Sequence, residues 1–292
     1  MTQNQTMNTT NEPIEASLLP GQLVTKCPFC GSILLTMLGQ FVAADPEDPR
    51  AGVLLGLKDA CDCEAAIRAT EEQNAAEEAK EREKQKAREM ARLKERWEAS
   101  GMPRAWLERG LNQWHRTDPS REAAYDAAVV FGASLLAGDY PRSLYIVGDI
   151  GAGKTFLSSC LCADLLRRGR RLLWRNVSDV LREIRACYDD RKTSEAEVIA
   201  RFTKPPVLVL DDLGKERPTE WAMEQLFCII NARYDAGKPL IVTTNYGGQD
   251  LVKRLTPRPD ASSYADDTTA RAIVDRLRGL SKHVVLTGAS RR

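Results

Sequence analysis

Between residues 143 and 247, short apolar runs alternate with longer stretches in which apolar side chains recur every three or four positions. SLYIVG (143–148), RRLLWRNV (170–177), PPVLVLDDLG (205–214) and PLIVTTNYG (239–247) have the length and β-branched content of buried strands. FLSSCLCADLLRRG (156–169) and TEWAMEQLFCIINARYDAG (219–237) have helical period and close on Gly169 and Gly237. SDVLREIRACYDDRKTSEAEVIARF (178–202) reads as two helices, each with a Ser or Thr near its start, and REAAYDAAVVFGASLL (121–136) as another. Strands alternating with helices in this order predict an α/β fold, a parallel sheet with helices on both faces.

The first hundred residues have a different texture. Residues 1–20 are rich in Thr, Asn and Gln and are expected to be a disordered tail. Residues 21–66 form a short Cys-containing module. From 64 to 99 the chain has no Gly or Pro, and ten acidic and nine basic side chains allow many i,i+4 pairs, which predicts an exposed helix. Its one apolar stripe is Met90, Leu93 and Trp97, so a solvated linker (67–100) and a partner-binding helix fit equally. Ser100, Gly101, Met102 and Pro103 stop it, and a globular domain follows over 101–292.

Composition narrows the classes. Apolar residues make up 43 % of the chain, enough for a real core, and the net charge is +1, so any nucleic-acid contact must be a local patch. No run of eighteen apolar residues predicts a membrane span, and the polar N-terminus lacks a secretory pattern, so a cytoplasmic protein with reduced thiols is expected.

The candidate chemistry begins at GDIGAGKT (148–155), which matches G-x-x-x-x-G-K-[ST] in full, between an apolar strand and a helix. Glycines let backbone N–H groups curl around phosphate oxygens, Lys154 reaches the β- and γ-phosphates, and the Thr155 hydroxyl ligates Mg²⁺. Gly148, Asp149, Ile150, Gly151, Ala152, Gly153, Lys154, Thr155 and Phe156 are the candidate ATP contacts. Asp211 and Asp212 follow the strand VLVL. Asp211 is the candidate Mg²⁺ ligand, and Asp212 the group that orients or deprotonates the attacking water. Asn245, ending the neighbouring strand, could contact the γ-phosphate, although Asn before a turn is common.

Cys27, Cys30, Cys61 and Cys63 fall in a C-x2-C and a C-x-C, and four thiolates close a tetrahedral structural Zn²⁺ site. Free buried thiols are the alternative. The apolar stretch ILLTMLGQFVAA (33–44) between the two halves could form a hairpin. Cys160, Cys162, Cys187 and Cys228 read as small apolar residues of helices.

The ordered set GDIGAGKT, LVLDDLG, EQLFCIINARYDAGKP, IVTTNY and VDRL resembles the DnaC-like and IstB-like branch of the AAA+ ATPases over about 101–285. The resemblance implies an AAA+ P-loop sheet behind a small zinc module and a charged helix. Within the branch the chain looks like a bacterial or phage replicative helicase loader: an ATPase that binds ATP and Mg²⁺, contacts single-stranded DNA, and grips a hexameric helicase through its N-terminal region. Asn245 then falls on the sensor-1 position. Arg276 falls on the arginine finger, which acts on ATP of a neighbouring subunit and so implies a homo-oligomer. The two-helix segment 178–202 resembles the insertion that lines a DNA channel in this clade. It offers Arg182, Arg185, Tyr188, Arg191 and Lys192, although nearby carboxylates also fit an ordinary charged face. Arg271 stands five residues before Arg276 where the family places its second arginine four before, which leaves its role open. An IstB-type transposition helper acting on duplex DNA, and a nucleotide-gated adaptor with slow turnover, are the rival readings.

Overall fold

The computed structural model describes residues 22–43, 52–57, 61, 63–139, 143–188, 193–258 and 266–287. The expected tail, Arg191, Lys192 and half of the loop TPRPDASSYADDTT lie outside them. The chain divides into two compact units, residues 1–88 and 89–292.

In the first unit, β1 (Gln22–Lys26), β2 (Ile33–Ala43) and β3 (Gly52–Leu57) form an antiparallel sheet in the order β1-β2-β3. The expected hairpin within 33–44 is therefore not formed. The stretch is one unbroken strand, paired on one edge to β1 and on the other to β3, because a second turn sits between Lys26 and Ile33 and carries the first two cysteines.

The charged helix α1 (Glu64–Ser100) begins in this unit and ends in the next. Pairs such as Arg68–Glu64 at 2.5 Å and Arg82–Glu78 at 3.2 Å line its exposed face, each worth only about 0.3–0.5 kcal/mol. At its C-terminal end Trp97 is buried and Leu93 half-buried, while Met90 is exposed, so the apolar stripe is shorter than its spacing suggests.

The second unit is built on a five-stranded sheet. It contains α2 (Pro119–Ala137), β4 (Ser143–Gly148), α3 (Lys154–Arg167), β5 (Leu173–Asn176), α4 (Val177–Ala186) and α5 (Glu195–Thr203). There follow β6 (Leu208–Leu213), α6 (Glu220–Asp235), β7 (Leu240–Thr244), α7 (Gly248–Leu255), α8 (Thr268–Leu280) and β8 (Ser281–Leu286). All the pairings are parallel, in the order β5-β6-β7-β4-β8. Although the strands read as continuous apolar runs, their side chains still alternate between faces. Leu144, Ile146, Val207, Val209 and Ile241 enter the core under α2 and α3. Tyr145, Leu208, Leu210, Leu240 and Val242 enter the core under α4 to α8.

Helix ends are set locally. Asp118 accepts from the N–H of Arg121 to cap α2, Thr219 caps α6, and Ser194 and Glu197 form a reciprocal capping box on α5. Cys160 and Cys162 are buried in α3 and Cys187 is buried just after α4. Cys228 lies on α6 as a helix residue and is exposed. Among the described residues no helix is long and apolar enough to cross a membrane.

Arg233 on α6 is wholly buried, and its guanidinium donates to the carbonyls of Phe202, Thr203, Pro205, Pro206 and Pro239 at 2.7–3.4 Å. These are the orphan carbonyls at the C-terminus of α5 and the lead-ins to β6 and β7. Burial pulls the guanidinium down to about 10, yet it has more donors than any uncharged side chain could supply. Arg233→Met is expected to lower stability by about 3–5 kcal/mol, because it orphans several buried acceptors at once. A urea midpoint that shifts by less than about 1 kcal/mol equivalent would show that the carbonyls find other partners.

Candidate functional site

β4 ends at Gly148 and α3 begins at Lys154, so residues 149–153 must turn the chain sharply above the sheet. A Cβ on Gly148 would lie 2.4 Å from the Leu286 carbonyl of β8, and Gly153 holds φ of 101° beside the Trp114 ring. These two positions therefore require glycine. The turn delivers Lys154 into the fold, 6 % exposed. Its Nζ donates to the carbonyls of Gly148 and Asp149 at 2.8 and 2.9 Å and to Asn245 Oδ1 at 2.6 Å. Burial lowers its pKa, and the neighbouring carboxylate of Asp212 opposes that.

The carboxylate pair sits across from it. The β6–β7 register slips between Leu210 and Leu213, so β6 carries an extra residue exactly where Asp211 and Asp212 lie. Asp212 absorbs it with φ of 64°, the one left-handed non-glycine residue among those described. The Thr243 side chain replaces the lost ladder bond. Its hydroxyl accepts from the Asp212 N–H at 2.9 Å and donates to Asp211 Oδ1 at 2.6 Å. Asp211 also accepts from the Thr155 hydroxyl at 3.0 Å. Asp212 points elsewhere, to Lys215 Nζ at 2.6 Å. Burial raises the pKa of Asp211 against its hydrogen bond from Thr243, as suits a carboxylate whose charge is to be met by a cation.

Several of these residues line a cavity of about 580 Å³. One end is formed by Lys154, Thr155, Asp212, Lys215 and Asn245, the other by Trp106, Arg109, His115, Arg121, Ile150 and Phe156. The second group did not emerge from the sequence reading apart from Ile150 and Phe156. It is an aromatic and guanidinium stack. Arg109 lies 4.3 Å from the Trp106 ring, Arg121 lies 3.7 Å from the Trp114 ring, and Trp114 stacks on Phe156 at 6.2 Å. Arg121 Nη1 also donates to the Ala152 carbonyl of the phosphate loop at 3.2 Å. A polar, glycine-lined end and a flat aromatic end suit the two halves of a nucleotide, and Thr155 with Asp211 supplies hard oxygen donors for a divalent cation.

Arg276 is not in this cavity. On α8 it hydrogen-bonds Asn231 of α6 and lies over the Phe227 ring at 4.6 Å and the Tyr234 ring at 5.9 Å. Arg271 pairs with Asp267 at 2.7 Å. Arg182, Arg185 and Tyr188 are likewise remote from the phosphate loop. Arg182 pairs with Asp179 at 2.9 Å, while Arg185 lies over the Trp221 ring at 4.7 Å. Tyr188 donates to Glu195 at 2.5 Å and accepts from Trp221 Nε1 at 2.9 Å.

In the first unit Cys27, Cys30, Cys61 and Cys63 converge, their sulfurs all within 4.8 Å of one another. Cys27–Cys63 is 3.8 Å and Cys30–Cys61 is 3.4 Å. A tetrahedral Zn²⁺ with Zn–S of about 2.3 Å sets its sulfurs about 3.8 Å apart, so the cluster fits a metal ion. Hydrogen bonding between Cys30 and the Ser32 hydroxyl and backbone holds the Cys30 thiol down at about 6. The Cys63 N–H pulls Cys61 down, but its bond with Cys30 and desolvation outweigh that and carry it up to about 12.

The profile of the family described as IstB-like ATP binding protein matches residues 77–292. An insertion-sequence ATP-binding protein of Mycobacterium tuberculosis is 31 % identical over 55 % of this chain and 59 % of its own length. The replicative helicase loader DnaI of Bacillus subtilis is 25 % identical over 60 % of this chain and 56 % of its own. The chain thus spans less than two thirds of the length of these relatives. Among solved structures, DnaI superposes with a TM-score of 0.54 at 29 % identity, covering 66 % of this chain and 95 % of that one. The DnaC helicase loader gives 0.51 at 25 % identity, covering 63 % and 99 %.

Elemental analysis of the full chain is expected to find one zinc per chain. Addition of zinc to metal-free protein should release protons at neutral pH, because thiols must ionise to bind. Cys61→Ser should lower the zinc content and the melting temperature of the first unit. Full-length protein purified without any bound metal, and taking up none, would leave the cluster as free thiols.

Proposed function

This chain belongs to the IstB-like ATP-binding protein family, the AAA+ branch that includes the helicase loaders, and we propose that it is a helicase-loading ATPase. The observation that carries the choice is the four-cysteine cluster, which in sequence precedes the long charged helix and the ATP-binding unit. In this reading the head grips a hexameric replicative helicase, and the second unit handles ATP and single-stranded DNA in the cytoplasm.

The residues divide the work by position. Backbone N–H groups of residues 149–155 surround the triphosphate, and Lys154 exchanges its carbonyl partners for phosphate oxygens. Thr155 and Asp211 would hold a magnesium ion, which would neutralise phosphate charge when bound. Asp212 orients or deprotonates the attacking water, and Asn245 holds the water or the γ-phosphate from β7. Arg276, on the outer α6–α8 face, reaches the nucleotide of a neighbouring copy, so the active form is a homo-oligomer.

Lys154→Ala is expected to abolish nucleotide binding. Asp212→Asn should keep binding and lower turnover by about 10²–10⁴. Fluorescent-nucleotide titration and phosphate release separate the two, and unchanged turnover in Lys154→Ala would remove the site assignment. If the wild-type chain binds ATP without measurable turnover, it is a nucleotide-gated adaptor.

A second reading, an ATPase that assists transposition on duplex DNA, is favoured by the 31 % identity to the insertion-sequence protein. Affinity capture decides between them. A loader retains a replicative helicase in the presence of ATP, and Cys27→Ser with Cys30→Ser weakens that retention. Capture of a transposase and not a helicase would overturn the loader.

A further inference from the structure

Beyond the nucleotide cavity lies a second one of about 770 Å³, bounded by the segment that follows β6, the first turn of α6 and the end of α7. Four cations face it, Lys215, Arg217, Arg254 and Arg258, against two carboxylates. One of these, Glu216, is buried and engaged by the Gly214 N–H at 2.9 and 3.1 Å, which leaves Glu220 as the exposed anion. Arg254 is fixed, donating to the Gly214 carbonyl at 2.5 Å. Among the described residues neither Arg217 nor Arg258 has an ion-pair partner, and both are exposed. Trp221 completes the wall, and its ring carries Arg185 on a face at 4.7 Å and Tyr188 at its indole N–H.

Among the described residues Lys215 is the only one common to this cavity and the nucleotide cavity. Its ammonium is half exposed and sits on Asp212 at 2.6 Å. An ammonium on a flexible stem can change partners without moving the backbone, and a phosphodiester in the second cavity offers it a competing anion.

We propose that this second cavity is a phosphodiester site for single-stranded nucleic acid, with a base against Trp221, and that Lys215 is shared between it and Asp212. The proposal rests on the reading of the chain as a DNA-handling ATPase and adds where the strand touches and what that does. With the cavity empty, Lys215 holds the Asp212 carboxylate. With a phosphate in it, Lys215 turns away and Asp212 is free to take a water. Unpaired arginines beside an aromatic platform are what a flexible strand recognises, phosphate by charge and base by stacking. An acidic peptide would use the same cations and leave Trp221 without a role.

The test uses the full chain, a labelled oligothymidylate of about 15 nucleotides, and ATP turnover with and without it. Arg217→Ser with Arg258→Ser is expected to weaken oligonucleotide binding at least tenfold. It should also reduce the slope of log affinity against log salt by about 1.4, at about 0.7 per lost phosphate contact. Lys215→Met should abolish the rise in turnover that the oligonucleotide produces, and Lys215→Arg should keep it. Melting temperatures of the variants report whether the fold stands, and Arg217→Ser alone serves if the double variant does not fold. If the wild-type chain binds no oligonucleotide at low salt, the DNA-handling reading fails and the proposal with it. If the wild type binds and the arginine variants bind equally well, the cavity is not the site although the reading stands. Stimulation that survives Lys215→Met overturns the shared lysine, and displacement by polyglutamate of equal charge overturns nucleic acid as the occupant.

Discussion

The hydroxyl of Thr243 is the joint on which the nucleotide end of the molecule depends. A parallel ladder between β6 and β7 would send Asp211 and Asp212 to opposite faces of the sheet. The extra residue in β6 breaks that alternation, and the hydroxyl closes the gap by accepting from one aspartate's backbone and donating to the other's side chain. Thr244 repeats the device one residue on, donating to the Leu213 carbonyl at 2.7 Å. Two adjacent carboxylates are thereby kept close to the same cavity but aimed apart, one to Thr155 and one to Lys215. A valine at 243 would preserve the shape of the strand and lose both bonds.

Much of the second unit could be read from its pattern, and the reasons are physical. The apolar strand before GDIGAGKT, the glycines within it and the helix after it constrain one another, and residues 150–156 of the candidate set line one cavity. Asp211, Asp212 and Asn245 were legible because they end apolar strands, and strand ends of a parallel sheet converge on one edge. What could not be read is what depends on three-dimensional proximity. Trp106, Arg109 and Arg121 precede the loop by dozens of residues, in irregular segments and at a helix start without periodicity, and nothing in their spacing marks them as neighbours of Phe156. Thr243 reads as an ordinary strand residue until its register is known. Lys215 and Trp221 gain meaning only when their partners, Asp212 and Arg185, are seen beside them.

The first unit illustrates the opposite case. The two cysteine pairs predicted a cluster correctly because each short spacing keeps its two sulfurs near one another, and the four lie together. The strand between them was misassigned because a run such as ILLTMLGQFVAA contains a glycine that could serve a turn or simply sit within a long strand. Pairing with β1 and β3 resolves it as one strand of eleven residues.

The strand order has a consequence for biosynthesis. β4 carries the phosphate loop at its end, yet its two neighbours in the sheet are β7 and β8, which begin at residues 240 and 281. While the chain emerges from the ribosome, β4 is the first of the five strands to be made and the last to be flanked on both edges. The Leu286 carbonyl that closes over Gly148 comes later still. A nascent chain therefore holds every residue of the phosphate loop long before it can hold the loop's shape.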